Sequence, residues 1–219
     1  MSYSREIVIL ANSAKKGGFC VAGKDIRTGE WIRPVATIGG GELSKSQITL
    51  STNTFSYTGK PLHKVVIGFE THAPLPNQPE NHLIDNSAWK PAFKMDRSQL
   101  DSLLDTPEDI WMYSRKQDRV DAKLFEYGLI ENHQSLYLIK VDSITYDVVL
   151  NGGGYQRLKG TFAYNGREYT FNVTDPSYCR YKNGPLGHSF VENDKYLCLS
   201  LGEKFEATGD CFKLIAAVI

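Results

Sequence analysis

Short apolar runs separated by turn residues recur along the chain, and this pattern predicts a protein built mainly of β-strands. Most of the runs are rich in Val, Ile and aromatic residues. The predicted strands cover residues 7–11, 19–23, 31–36, 62–71, 136–141, 143–150, 157–164, 168–174, 195–201 and 211–219. Asn165-Gly166, between two of these strands, favours a tight hairpin because both positions of the turn need a positive φ.

The middle of the chain has a different pattern. Prolines recur within residues 73–94, which excludes a central strand or a helix interior from this segment. Residues 96–104 predict a short helix with Asp96 as its N-cap and leucines along one face. A second short helix is predicted over residues 107–113, because proline suits the first turn of a helix and acidic residues suit its positive end.

Two β modules, residues 1–72 and 135–219, are therefore predicted on either side of a Pro-rich and helical connector over residues 73–134. Five or six short strands per module favour a small barrel over a sandwich. Three consecutive glycines at 39–41, and three more at 152–154, suggest that one module is a duplicate of the other. Glycine suits a tight barrel corner or a mobile loop, and neither run has the Gly-Lys-Ser/Thr of a phosphate-binding loop.

No segment of the sequence predicts export or membrane insertion. The apolar run near the N-terminus, residues 7–11, is too short for a signal-peptide core or a bilayer span. We therefore expect a cytoplasmic protein with no membrane partner. The four cysteines have no CxxC spacing, and a reducing compartment favours free buried thiols over disulfides or a zinc site.

The 25 Lys and Arg residues balance 25 Asp and Glu residues, which excludes a protein that binds nucleic acid through bulk positive charge. The balance hides an uneven distribution. The net charge is +4 over residues 1–100, −5 over residues 101–150 and +1 over residues 151–219. The predicted barrels are thus mildly basic and the connector is acidic, so any contact with nucleic acid must be local and assisted by aromatic side chains.

The sequence has no complete set of catalytic residues and no dinucleotide-binding fingerprint. His72 and His82 lie close to three acidic residues and could form a metal site, although a role as ordinary loop residues is favoured. Asp175, followed by Pro176, favours a turn cap. The alternative is a carboxylate that is catalytic, as in a hydrolase, or that reads a nucleobase. We therefore expect a non-enzymatic binding protein with no cofactor and no metal.

The segment from Asn151 to Lys182 combines five basic residues with seven aromatic ones and only two acids. Aromatic side chains on a barrel surface stack bases while Arg and Lys follow the backbone. We expect Phe162 and Phe171 to face the barrel interior, and Tyr178 and Tyr181 to face outward. The candidate contact residues of this segment are Tyr155, Arg157, Lys159, Asp175, Tyr178, Arg180, Tyr181 and Lys182.

A second candidate group lies in the N-terminal module. It contains Lys15, Lys16, Lys24, Trp31 and Arg33. Trp31 and Arg33 alternate along a strand and so share a face, where the Arg33 side chain could stack on the Trp31 ring. The alternative is a Trp at the mouth of the barrel that packs on the aliphatic part of the Arg.

Three groups of short motifs span nearly the whole chain. They are ANS at residues 11–13, GGFCVAG at 17–23 and GEWIRPV at 29–35; QPEN at 78–81 and LID at 83–85; and LCLSLGE at 197–203 and KLIAAVI at 213–219. Together these motifs resemble a bacterial family described as dual OB-containing domain proteins. The resemblance implies two OB-like barrels and a family without an established activity, associated with nucleic-acid or nucleotide transactions.

The leading hypothesis is a non-enzymatic protein that binds single-stranded nucleic acid through aromatic and basic residues on the barrel surfaces. One alternative is a sensor of a nucleotide or another small ligand, with a pocket between the modules lined by Trp31, Arg33, Asp175 and Arg180. Another is an adaptor that binds a partner protein through the acidic connector.

Overall fold

The structure is a computed structural model that describes residues 2–15, 17–52, 54–113, 116–130 and 133–219. The chain divides into two compact units, residues 1–103 and residues 104–219. In the described parts of the chain, no helix is both long enough and apolar enough to cross a membrane. Cys198 and Cys211 are buried, and Cys20 is half-buried.

Unit 1 (residues 1–103) contains a closed barrel of five strands. The strands of the unit are β1 (Tyr3–Lys15), β2 (Gly18–Asp25), β3 (Trp31–Val35), β4 (Thr49–Ser51), β5 (Ser56–Thr58), β6 (His63–His72), β7 (Asn81–Ile84) and β8 (Lys90–Lys94). The barrel closes in the order β1-β2-β3-β7-β6, because β6 also pairs with β1. Among the described strands of this unit, only β3 and β7 pair in parallel. Alternate residues of these strands, such as Ile7, Ile9 and Ile67, fill the interior with no exposed surface.

Unit 2 (residues 104–219) closes a second barrel of five strands. Its elements are β9 (Arg119–Asp121), α1 (Lys123–Glu126), β10 (Leu136–Leu150), β11 (Gln156–Tyr164), β12 (Arg167–Val173), α2 (Cys179–Lys182), β13 (Ser189–Phe205) and β14 (Asp210–Val218). The barrel closes in the order β10-β11-β12-β14-β13, with β12 and β14 parallel. The two strands predicted over residues 136–150 are one continuous strand.

Both barrels have the same topology. If the barrel strands of each unit are counted along the chain, the spatial order in both is 1-2-3-5-4, and the fifth strand is parallel to the third. This is the five-stranded Greek-key barrel of the OB-fold. The predicted fold class, mainly β with two OB-like barrels, is confirmed. The predicted hairpin is also confirmed, because Asn165 and Gly166 have φ values of 47° and 73°.

The Pro-rich segment 73–94 differs from the prediction. It was expected to contain no central strand, yet β7 lies between β3 and β6 inside the closed barrel. Its prolines flank β7 rather than interrupt it, and Pro91 lies in β8, an edge strand that pairs only with β6. Proline is compatible with a strand edge because no hydrogen-bonded neighbour needs its missing N–H.

The predicted connector also differs from what the structure describes. Residues 73–103 belong to unit 1 and residues 104–134 to unit 2, where β9 extends the barrel sheet by pairing with β14. Residues 97–103 form a 3-10 helix, and the Asp96 carboxylate accepts a hydrogen bond from the Ser98 N–H (2.8 Å). The helix predicted over residues 107–113 is absent, because the Ile110 N–H donates to the Tyr169 hydroxyl and Trp111 has a φ of 50°.

The two glycine runs occupy different places in the two barrels. Residues 39–41 follow the third barrel strand of unit 1, whereas residues 152–154 connect the first and second barrel strands of unit 2. The glycine runs are therefore not equivalent, and the relationship between the units rests on their shared strand order.

Candidate nucleic-acid interface

The aromatic residues of β11 and β12 fill the barrel of unit 2. Phe162, Tyr169 and Phe171 are each no more than 2% exposed and lie in one core cluster. The alternating positions face outward and include Lys159, Thr161 and Thr170. The hydroxyls of the two threonines form a hydrogen bond (2.9 Å). The inward direction expected for Phe162 and Phe171 is thus confirmed, and the outer face of β11 and β12 has no aromatic side chain.

The loop between β10 and β11 exposes an aromatic residue instead. The Asn151 side-chain carbonyl accepts hydrogen bonds from the N–H groups of Gly153 (3.1 Å) and Tyr155 (2.8 Å), which folds the loop back on itself. Gly154 has a φ of 76°, a conformation that favours glycine. Tyr155 leaves this loop with 68% of its surface exposed. In OB-folds, the loop between the first two strands is one of the segments that contact oligonucleotides.

Basic side chains lie at the same end of the barrel as this loop. Arg157 and Lys159 follow Tyr155 along the outer side of β11. The segment after α2 approaches the start of β11, because the Gln156 amide donates to the Gly184 carbonyl (3.2 Å). Arg180 on α2 is exposed, and its guanidinium lies 4.6 Å from the centre of the Tyr181 ring. Lys182, at the end of α2, is half-buried.

Two predicted outward tyrosines belong to the cap that closes the barrel of unit 2. Tyr178 is only 9% exposed, and its ring lies 5.2 Å from that of Tyr146 inside the barrel. Tyr181 is half-buried, with its ring 4.5 Å from that of Phe190. The expectation that Tyr178 faces outward is wrong, because it lies in the short 3-10 turn that packs its ring onto the barrel.

Burial also raises the pKa of the two tyrosine hydroxyls that meet here, those of Tyr178 and Tyr146. The Tyr178 hydroxyl donates a short hydrogen bond to Glu192, and burial raises the pKa of Tyr178 well above its ordinary value. Burial raises the pKa of Tyr146 further still. Both hydroxyls therefore stay protonated at neutral pH and act as structural groups.

Asp175 is a structural residue in the described chain. One carboxylate oxygen accepts hydrogen bonds from the N–H (2.8 Å) and the hydroxyl (2.7 Å) of Ser177, and the other accepts from the Val218 N–H (2.9 Å). The residue is 8% exposed. This is the turn-capping role that the sequence favoured, and it leaves little of the carboxylate for a ligand.

The predicted contact residues of unit 1 are mostly inaccessible. Lys24, Trp31 and Arg33 are 5%, 5% and 6% exposed. The Lys24 ammonium donates to the Leu103 carbonyl (2.8 Å) and lies 5.2 Å from the centre of the Trp31 ring. The side chain of Lys15, and Lys16 as a whole, lie outside the described residues.

The rings of His72 and His82 lie against each other at an interplanar angle of 37°, and their nitrogens bond with other groups rather than with a common partner. Their ring centres are 4.7 Å apart, His82 Nδ1 bonds with the Tyr3 hydroxyl, and His72 Nε2 bonds with the Pro79 carbonyl (2.7 Å). Burial, with the charges of His72 and Arg5, lowers the pKa of His82 to about 4. Within the residues described, no group of three or more His, Cys, Asp and Glu side chains could hold a metal ion.

A further group of aromatic and basic residues lies in unit 1, outside every segment singled out from the sequence. The ring of Tyr57 in β5 contacts two others. One is the ring of Phe55, just before β5, and the other is the ring of His63 at the start of β6. Two of these residues stand in a Thr- and Ser-rich stretch with little charge. Of the lysines beside them, Lys60 is near in sequence, whereas Lys94 comes from β8. Only their spacing of two along a strand could have indicated a shared face.

The repeated topology defines a class: this is a protein of two OB-folds in tandem. The chain belongs to the family described as Dual OB-containing domain, which matches residues 5–218. No curated protein sequence matches the chain significantly. Among solved structures, the crystal structure of the tetrameric p202 HIN2 aligns with 100% of this chain and 95% of that chain, at 8% identity and a TM-score of 0.30. A similarity this low carries no argument about function.

Proposed function

We propose that this protein binds single-stranded nucleic acid without catalysing a reaction, and that unit 2 contacts the strand through the end of its barrel that carries the β10–β11 loop. The observation that carries the proposal is the position of Tyr155, an exposed aromatic ring on an OB-fold loop. Two basic residues, Arg157 and Lys159, follow it on the outer face of β11. OB-folds contact oligonucleotides through this loop and the adjoining strands.

The contact surface is defined as Tyr155, Arg157, Lys159, Arg180 and Lys182. Tyr155 supplies a ring for base stacking, and the four basic residues supply positive charge for the phosphates. Duplex DNA and RNA bury their base faces, so a ring exposed on a loop favours a strand whose bases are unpaired. Trp31, Arg33, Asp175 and Tyr178 are not part of this surface, because their side chains are buried.

Fluorescence anisotropy with labelled oligo(dT) and oligo(rU) of about 30 nucleotides tests the proposal, since one OB-fold covers roughly 4–16 nucleotides. The variant Tyr155→Ala is expected to weaken binding about 5- to 100-fold, the equivalent of one stacked base at roughly 1–3 kcal/mol. Reversal of charge in Arg180→Glu/Lys182→Glu is expected to weaken binding and to reduce its salt dependence.

Two control variants make the same kinds of substitution, at an exposed tyrosine and an exposed basic residue, elsewhere on unit 2. Tyr127→Ala removes another exposed aromatic residue of unit 2, 70% exposed after α1. Arg167→Glu reverses a charge at the far end of β11 from Tyr155, where Arg167 pairs with Tyr164. Equal losses in the controls, or no binding of any single strand at low salt, would refute the proposal. Stabilisation by free nucleotides alone would favour a small-ligand sensor instead.

A further inference from the structure

Phe55, Tyr57 and His63 form a run of aromatic rings on unit 1. The ring centres of Phe55 and Tyr57 are 5.6 Å apart, and those of Tyr57 and His63 are 5.3 Å apart. Phe55 is 61% exposed, whereas Tyr57 is half-buried against the barrel core. The run therefore begins in solvent and is anchored on the barrel.

The hairpin of β4 and β5 fixes Phe55 at the outer end of the run. Leu50 in β4 is fully buried in the core and holds the hairpin against the barrel. The Thr52 N–H donates to the Phe55 carbonyl (2.9 Å), and the Phe55 N–H donates to the Thr52 hydroxyl (3.2 Å). The backbone on which the exposed ring stands is thus held by hydrogen bonds on both sides.

A tight turn before β6 fixes His63 at the inner end of the run. The Lys60 N–H donates to His63 Nδ1 (3.3 Å), and the His63 N–H donates to the Lys60 carbonyl (3.0 Å). Leu62 has a φ of 72°, and its N–H donates to the Ile9 carbonyl (2.8 Å), which ties the turn to β1. Burial and the charges of Lys94 and Lys60 lower the pKa of His63, so its ring is neutral at pH 7.

Positive charge surrounds the run. Lys94 lies directly opposite His63 in the pairing of β6 with β8, and Lys90 lies at the other end of β8. The charges that act on His63 are those of Lys94 and Lys60. Phe93, next to Lys94, is 89% exposed, the highest value among the large apolar residues that the structure describes. The Asp96 carboxylate is engaged with the N–H and hydroxyl of Ser98.

We infer that the run Phe55–Tyr57–His63, with Lys60, Lys90 and Lys94, is a second binding site for single-stranded nucleic acid, located on unit 1. The exposed face of Phe55 offers a base a ring on which to stack, and the lysines offer charge to its phosphates. The inference rests on the proposed function, because it assigns a second contact to the same ligand.

A strand of nucleic acid fits this surface better than an acidic peptide does. A peptide that adds to the open edge of β8 would gain its affinity from backbone hydrogen bonds and would not need the rings of the β4–β5 hairpin. A single-stranded nucleic acid needs both the rings and the positive charge. The rings of Phe55, Tyr57 and His63 and the lysines beside them supply both.

Ultraviolet cross-linking to oligo(dT) of about 30 nucleotides, followed by trypsin digestion and mass spectrometry, locates the contacts. Trypsin does not cut between Lys60 and Pro61, so all three rings lie in one peptide, residues 46–64. Tyr155 lies in a separate peptide, residues 141–157. Cross-links in both peptides are expected. Cross-links in residues 141–157 alone would overturn the inference and leave the proposed function intact, and the absence of any binding would overturn both.

Substitutions in the full chain measure the contribution of the site. Phe55→Ala is expected to lower the affinity for oligo(dT) about 5- to 100-fold, and Phe55→Trp is expected to retain or increase it, because a larger ring stacks as well. Lys94→Glu is expected to weaken binding and to lower its salt dependence. Arg27→Glu, on the exposed turn between β2 and β3, is the charge control and is expected to change little.

Circular dichroism of each variant verifies that the barrels remain folded. Phe55 is exposed and is not one of the described core residues of unit 1, so Phe55→Ala is expected to leave the spectrum unchanged. An unchanged affinity in Phe55→Ala, or a loss in Phe55→Trp equal to that in Phe55→Ala, would overturn the inference.

Discussion

Lys213 carries its amine inside the barrel of unit 2. It lies between Cys211 and Ile215, two core residues on the same face of β14, and is 1% exposed. Its ammonium lies 3.9 Å from the Met112 sulfur and 5.9 Å from the centre of the Phe171 ring. Burial lowers the pKa of Lys213 to about 8, and the charges of nearby carboxylates offset only part of this effect.

The stability of unit 2 is expected to depend on pH because of Lys213. In the unfolded chain the amine has its ordinary pKa of 10.5, so between pH 8 and 10.5 the unfolded state holds the extra proton and stability rises with pH. Lys213→Met is expected to abolish this rise and to increase the free energy of unfolding at pH 7 by up to about 3 kcal/mol. Urea denaturation as a function of pH measures both effects.

The exposed Lys123→Met variant is the control for the Lys213 prediction, and it is expected to keep the rise between pH 8 and 10.5. NMR of ¹³C-labelled lysine side chains gives the pKa directly. A value above 10 for Lys213 would contradict the prediction.

His82 is expected to make the stability of unit 1 depend on pH in the acidic range. Its pKa is about 4 in the folded chain and 6.5 when unfolded, so stability is expected to fall as the pH decreases from 6.5 to 4. His82→Phe keeps a ring beside Phe69 and is expected to flatten this part of the profile. Thermal unfolding between pH 4 and 7 measures the difference, and parallel profiles for the two proteins would count against it.

At the scale of elements, the segment between the third and fourth barrel strands has a different role in each unit. In unit 2 it forms a short helical cap, residues 176–182, that packs tyrosines against the barrel. In unit 1 it forms the β4–β5 hairpin, which extends a phenylalanine into solvent. The same place in the topology therefore closes one barrel and exposes an aromatic surface on the other.

The cap of unit 2 is expected to contribute to stability, whereas the β10–β11 loop contributes to binding. Tyr178→Ala removes a buried ring and is expected to lower the free energy of unfolding by about 3–5 kcal/mol. Tyr155→Ala is expected to change it by no more than about 0.5 kcal/mol. Urea denaturation, with hydrogen exchange in β10 to assign the change to unit 2, measures both.

Tyr178→Phe separates packing from the hydrogen bond with Glu192, because it keeps the ring and removes the hydroxyl. It is expected to cost less than Tyr178→Ala. If Tyr178→Ala were as stable as the unmodified chain, the tyrosine would not be part of the cap.

At the scale of the whole molecule, the neutral chain consists of two oppositely charged units. Residues 1–103 contain 12 basic and 9 acidic residues, and residues 104–219 contain 13 basic and 16 acidic ones. The acidic segment predicted as a connector accounts for the negative charge of unit 2, because residues 104–134 belong to it. Unit 2 therefore has to bind phosphates through a local basic surface on an acidic body.

The salt dependence of binding is expected to be moderate. The two proposed sites contain seven basic side chains, and a single strand loses roughly 0.7 in the slope of log K against log salt for each phosphate neutralised. The slope is thus expected to be no steeper than roughly −5, and Lys182→Ala is expected to reduce it by roughly 0.7. Anisotropy titrations at several salt concentrations measure it, and a slope near roughly −10 would point to a larger basic surface.

The sequence by itself determined the β-rich architecture, the two barrels and the position of the Asn165-Gly166 hairpin. These features depend on apolar alternation and turn chemistry, which are local properties of the chain. The direction of Phe162 and Phe171 also followed from this alternation, because a barrel needs an apolar interior. The capping role of Asp175 was readable for the same reason, since its partner Ser177 is two residues away.

Only the tertiary structure decided which aromatic and basic residues meet in solvent. Tyr178 and Tyr155 are both tyrosines in loops, and what distinguishes them is whether the folded barrel presents a partner such as Tyr146. The strand β7 was missed because its place in the sheet depends on pairing with β3, which lies far away in sequence. Lys94 reaches the rings of Tyr57 and His63 through the pairing of β6 with β8, a contact between residues far apart in sequence that no local pattern encodes.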